Sequence, residues 1–186
     1  MSKSRDLLCL ASSDLLTLVV ATDASVIPPR NMQAVSVAHF WRLREQVSSS
    51  KVPAGWAIAL DAELFAIQLS VVKATSFNVK RIVIITNSFT TARRAVDAFV
   101  HSGQAHSLAI VQALRGFFTN HPDHFIHFWD CPSKTQWSLH FLAHEDTTST
   151  KITAGRHLAT LLNALRSKSA ATCFDIWRTS FAHLLS

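Results

Sequence analysis

Residues Arg81 to Thr86 read Arg-Ile-Val-Ile-Ile-Thr, four apolar β-branched residues in a row closed by polar ones on either side. A run of this length without helical spacing predicts a strand at the centre of a sheet, covered on its faces by other elements. Leu15 to Ala21 is a second such run, and Thr22-Asp23 closes it, so a carboxylate sits at its carboxyl end. Gln33 to Arg42 alternates loosely, with Val35, Val37, His39 and Trp41 on one face and Ala34, Ser36, Ala38 and Phe40 on the other. Val52 to Leu60 reads as a third strand, with Pro53 and Gly55 marking an edge or a bulge. The short links between these three predict an antiparallel meander.

The helices follow from spacing and capping chemistry. Asp61 is placed to cap a helix whose Leu64, Ile67, Val71 and Ala74 recur at helical intervals, and Glu63 in its first turn complements the helix dipole. Asn87-Ser88 ends the fourth strand, and a helix runs on through Ala92, Ala95, Val96 and Phe99. Ala105 to Phe118 is an amphipathic helix stopped by Asn120 and Pro122. His124 to Trp129 is a strand, Cys131-Pro132-Ser133 breaks it, and Thr135 to Glu145 holds a helix start. The order β-β-β-α-β-α-α-β-α predicts an α/β domain with a mixed five-stranded sheet flanked by helices. Domain limits are expected at a lead segment 1–14, a core 15–150 and a C-terminal helical extension 151–186. In that extension Leu158, Leu161, Leu162 and Leu165 make one apolar stripe and Phe174, Trp177, Phe181 and Leu184 another, a core face or a surface for a protein partner.

Composition narrows the classes. At 48% hydrophobic and 16% charged, with four Gly, the 186 residues are suited to a packed core and not to disorder. A net charge of +6 suits a polyanionic partner without requiring one. Cys9, Cys131 and Cys173 form no CxxC pair, and a reducing, intracellular setting, nuclear or cytoplasmic, is the expectation. No stretch approaches the roughly 18 apolar residues of a membrane span, so no membrane is expected. There is no phosphate-binding glycine loop and no G-x-S-x-G elbow. His121, His124, His127 and His140 with Cys131 suggest zinc only weakly, because no metal-binding spacing joins them.

Asp23, Glu63 and Asn87 are the polar positions that such a sheet would gather at one crevice, beyond the carboxyl ends of its strands. Oxygen ligands of this kind suit a hard cation. On spacing alone each also has a local explanation: a turn, a helix-dipole residue and a helix cap.

The surrounding residues carry a resemblance. Thr22-Asp23-Ala24-Ser25 resembles the first-strand T-D-G-S motif of type 1 ribonuclease H. Asp61-Ala62-Glu63-Leu64-Phe65-Ala66-Ile67 is similar to that family's helix motif, Ile82 to Ser88 resembles its strand ending T-D-S, and Phe128 to Lys134 resembles its W-x-P-[GS]-H segment. His101 to Ser107 and Trp177 to Phe181 look similar to ribonuclease H-like domains at the end of fungal non-LTR retrotransposon reverse transcriptases. The resemblance covers about Leu15 to Asp146. It implies a ribonuclease H-like fold and a metal-dependent endoribonuclease acting on RNA–DNA hybrids, with four carboxylates holding two Mg²⁺ (or Mn²⁺) ions.

The resemblance also exposes departures. Asp23 and Glu63 match, but the expected aspartate of T-D-S is Asn87, the expected histidine is Lys134, and the last aspartate slot falls on His144. Asn87 brings a carbonyl without charge, His144 prefers softer metals, and Lys134 adds a fixed positive charge. Hydrolysis is therefore expected to be impaired, and a dead nucleic-acid-binding or protein-interaction module is the alternative. Asp146 would restore a carboxylate only with a shifted register, since it lies about 200° round a helix from His144. Ser25, Arg93, Arg94 and Lys134 are the candidates for nucleic-acid contact, with a solvated surface as the plainer explanation.

Overall fold

The computed structural model describes residues 14–26, 33–97, 99–132, 137–149 and 162–181. Five strands form one mixed sheet. β1 (Thr17–Ser25), β2 (Ala34–Arg42) and β3 (Glu45–Gly55) make an antiparallel meander, while β4 (Arg81–Thr86) and β5 (Phe125–Asp130) run parallel to β1, in the order β3-β2-β1-β4-β5. The helices are α1 (Ala59–Ala74), α2 (Phe89–Ala95), α3 (Gln104–Asn120), α4 (Ser138–Ser149) and α5 (Leu162–Phe181). The predicted order of elements is the observed one.

Along the inner strands β1, β2 and β4 both faces are buried, as the unbroken apolar runs require, while the edge strands β3 and β5 stay largely exposed or half-buried. Leu18, Val20, Ile82 and Ile84 join Phe40 of β2 under Leu64, Ile67 and Val71 of α1 and Ile110 and Phe117 of α3. Side chains alternate along a strand, so Val19, Ala21, Val83 and Ile85 point the other way. They pack with Cys131, Val35 and Val37 against Leu139 and Ala143 of α4. Full burial of a side chain such as Phe40 or Leu64 contributes about 1.5–3 kcal/mol.

Several boundaries differ from the sequence reading. β1 continues to Ser25, so Asp23 lies inside the strand and pairs with Val37 of β2 rather than closing the run. The third strand begins at Glu45, not Val52, because Leu43 and Arg44 form a two-residue hairpin turn with φ of 51° and 68°. Such a turn needs positive φ at both positions, which Asn-Gly signals and Leu-Arg does not. Asp61 is not the cap of α1. The helix starts at Ala59 behind Ile58, which offers no capping side chain, and Asp61 is fully buried within the first turn.

Asp61 serves a different helix. Its Oδ1 accepts a 2.5 Å hydrogen bond from Ser102 Oγ, just before Gly103 at the start of α3. Gly103 has φ +74°, and a Cβ there would lie 2.9 Å from Leu64 Cδ2 and 3.0 Å from Asp61 Oδ1. A buried carboxylate at the amino end of a 17-residue helix is favoured by the helix dipole. This contact holds α3 on α1, and α1 in turn is tied to β2 by Ser36 Oγ donating to the Ala62 carbonyl at 2.8 Å.

Phe99 lies beyond α2 and is 83% exposed, so the helix ends earlier than its apolar spacing predicts. On α5 Phe174 and Ile176 are exposed. Leu158, Leu161, Leu184 and the side chains of Leu162, Leu165, Trp177 and Phe181 lie outside what the structure describes, as does Lys134. No described helix is long and apolar enough to cross a membrane.

Candidate active site at the sheet crest

Asp23 is the centre of the site. Alternation along β1 turns it to the same side as Val19 and Ala21, the side that α4 covers. Its side chain is only 2% exposed. Four groups face it from α4 and from the end of β4. His144 Nδ1 stands 2.8 Å from Oδ2 and Thr147 Oγ1 3.2 Å from the same oxygen. Asn87 Nδ2 stands 3.5 Å from Oδ1, and His140 Nε2 lies 3.9 Å from it. A carboxylate only accepts, so His144 donates from Nδ1, and its tautomer follows from that bond. The Thr147 hydroxyl has one proton, shared with the His144 carbonyl at 2.8 Å.

Glu63 reaches Asp23 from α1. Burial, then the charge of Asp23 and a hydrogen bond with it, push the Glu63 carboxyl up to about 8, against a lowering contribution from the Ala24 N–H. Glu63 therefore keeps its proton at neutral pH, and the pair carries one negative charge instead of two. His140 is held below its ordinary value, chiefly by burial, with Asp23 pulling up and His144 pushing down. Its Nε2 is buried without a hydrogen bond.

The sequence reading brought Asp23, Glu63, Asn87 and His144 together, and the structure does the same. Asp146 is a correction. It accepts from His39 Nε2 at 3.0 Å and pairs with Lys51, so it binds α4 to β2 and β3 and fills no slot beside Asp23. Burial raises the Asp146 carboxyl, but hydrogen bonds and charge from Lys51 and His39 more than offset this and hold it below the ordinary range. The sequence reading missed Thr147 and placed His140 elsewhere. A signal existed: His140, His144 and Thr147 are spaced i, i+4 and i+7, one face of a helix.

The residues do not fit a pair of hard cations. Two such ions need several negative oxygens aimed at open space. Here one carboxyl stays protonated, the third position is an amide, and N–H and O–H donors already occupy the Asp23 oxygens. Among the described residues no three His, Cys, Asp or Glu side chains are grouped to hold an ion. The zinc grouping is also dispersed. His121 and His124 stack on each other with centroids 4.5 Å apart, His127 meets the edge of Trp129, and Cys131 is a buried thiol pushed up to about 11 by burial and then by Asp130.

Of the candidate nucleic-acid contacts, Ser25 ends β1 two residues beyond Asp23. Arg93 and Arg94 lie on α2, which starts two residues after Asn87, with the Arg93 guanidinium 5.9 Å from the Phe89 ring centroid. Phe89, Arg93, Val96, His127 and Trp129 line an open groove of about 470 Å³ between α2 and β5.

No protein-family model matches the sequence, and no curated protein does. Solved structures do. The foamy viral protease–reverse transcriptase in complex with RNA/DNA hybrid matches 73% of the chain at 18% identity with a TM-score of 0.60, and the chain spans only 20% of that protein. LC11-RNase H1, from a compost metagenome, matches 72% at 13% identity with a TM-score of 0.53 and is itself 94% covered. RNase H1 from Halobacterium salinarum matches 72% at 18% identity with a TM-score of 0.51 and is 98% covered. The fold is that of the ribonuclease H-like domains.

Proposed function

We propose that this chain is a ribonuclease H-like domain of retrotransposon origin that engages RNA–DNA hybrid or related nucleic acid, and whose ancestral two-ion hydrolysis is impaired. The observation that carries this reading is the state of Asp23. Its carboxylate accepts hydrogen bonds from His144 and Thr147, an amide and not a carboxylate stands at its other oxygen, and burial with the charge of Asp23 pushes the facing Glu63 carboxyl up to about 8. Mg²⁺ or Mn²⁺ would have to displace these donors and ionise Glu63 before gaining two ligands, so binding is weak or absent. Nucleic-acid engagement is supported by two similar structures, foamy viral proteins holding RNA/DNA hybrid and dsDNA, and by Arg93 and Arg94 beside the crest.

The test uses labelled RNA–DNA hybrid in Mg²⁺ and in Mn²⁺. Wild type is expected to show no divalent-ion-dependent hydrolysis, and Asn87→Asp with His144→Asp to gain it. Ion-dependent hydrolysis by wild type, abolished in Asp23→Asn, would refute the impairment. Hybrid binding should weaken with salt and on charge reversal at Arg93 and Arg94. Absence of binding at low salt would favour the alternative, a protein-interaction module using the exposed Phe174 and Ile176 of α5.

A further inference from the structure

His144 differs from the other groups around Asp23 in being wet. Its side chain is 55% exposed, whereas the carboxylate it bonds is 2% exposed. A buried carboxyl group that orients the ring and an exposed imidazole are the two parts of a general-base dyad. The 2.8 Å bond commits the proton to Nδ1, which leaves the lone pair on Nε2. Nε2 makes no hydrogen bond among the described residues, so it is open to a substrate. The buried Asp23 both fixes the ring and stabilises the imidazolium that proton abstraction would form. His140 lies on the same side of α4, one turn before.

We propose that the crest is a metal-independent general-base site in which His144, oriented by Asp23, activates the 2′-hydroxyl of an RNA strand. This rests on the preceding reading that nucleic acid reaches the crest. His144 Nε2 takes the 2′-hydroxyl proton, and the 2′-oxygen forms a bond to the adjacent phosphorus. The bond from phosphorus to the 5′-oxygen breaks, and that oxygen takes a proton from water or from the imidazolium. The products are a 2′,3′-cyclic phosphate and a 5′-hydroxyl, with no metal, oxidant or other co-reactant. Attack along this line needs a strand free to place its 2′-oxygen opposite the leaving oxygen, so flexible single-stranded RNA is the preferred substrate over a hybrid. DNA, which lacks the 2′-hydroxyl, is not a substrate.

The experiment incubates the full chain with end-labelled single-stranded RNA in EDTA and resolves product termini. Wild type, His144→Ala, His144→Gln and Asp23→Asn are purified identically, and each is checked for folding by thermal melting. The expected result is cleavage in EDTA with cyclic-phosphate ends, reduced about 10²–10⁴-fold in both His144 variants. Asp23→Asn should lower kcat with KM retained, because it orients the base without touching RNA. Equal cleavage by wild type and His144→Ala would betray a contaminating ribonuclease and overturn the proposal. So would RNA binding without cleavage in EDTA, which leaves the impaired-hydrolase reading standing. Cleavage that needs Mg²⁺ and leaves no cyclic phosphate would overturn both.

Discussion

Replacing Glu63 by Gln tests the charge state of the crest directly. The folded protein binds the Glu63 proton more tightly than the unfolded chain, with values of about 8 against 4.5. The Glu63 contribution to stability is therefore fully present below pH 4.5 and is lost as pH rises through this window, because the folded state must either keep a proton that solution withdraws or bury a second charge beside Asp23. Each pH unit removes up to ~1.4 kcal/mol, so the loss accumulated by pH 8 is at most about 5 kcal/mol. Gln at this position accepts from the Ala24 N–H and donates to Asp23 without titrating. The variant should melt like wild type near pH 4.5 and progressively higher than wild type towards pH 8.5. At about 2–4 °C per kcal/mol for a chain of this size, that ceiling corresponds to a difference of at most about 10–20 °C. Comparing the two proteins across pH in EDTA cancels the contributions of groups that titrate in both. Parallel melting curves from pH 5 to 9 would refute the reasoning and show Glu63 to be ionised beside Asp23.

Gly103→Ala should destabilise by at least about 1–2 kcal/mol, since it combines a positive φ with a Cβ 2.9 Å from Leu64, and chemical denaturation would measure it. Leu43→Asn with Arg44→Gly should raise the melting temperature by a few degrees by relieving two positive-φ residues in the β2–β3 turn. Asp146→Ala should cost about 1–3 kcal/mol, mostly from the lost hydrogen bond with the buried His39 because the ion pair with Lys51 is partly exposed, and should leave any cleavage unchanged. The Asp146 contribution is present above the ordinary carboxylate range and lost as pH falls through the lowered value, so wild type and Asp146→Ala should converge in acid.

The strands were legible because burial on both faces leaves an unmistakable mark: Ile82 to Ile85 has no polar interruption, and the sheet places it between two other strands. Turn chemistry was less so. Leu43-Arg44 adopts a conformation that neither residue favours, and it does so because the pairing of Arg42 with Glu45 fixes the hairpin. Asp61 misled for a related reason. An aspartate ahead of an apolar helical run reads as that helix's own cap, whereas here it stands at the start of a different helix, a choice visible only once α3 is packed against α1.

The crest shows the same limit at the level of a single helix. Spacing decides which residues of α4 share a face, and it does put His140, His144 and Thr147 on one and Asp146 on another. It does not decide which face turns to β1. That depends on the apolar residues Leu139 and Ala143, which pack against Ala21, Val35 and Val37 and so set the rotation of the whole helix. A slip of two residues would have brought Asp146 to Asp23 and carried His144 away, exchanging a histidine that donates a hydrogen bond to the carboxylate for a second carboxylate that repels it. With Glu63 already protonated by its neighbour, that exchange would favour a cation at the crest. The observed register instead supplies an imidazole N–H, and the chemistry available to this site follows from that one rotation.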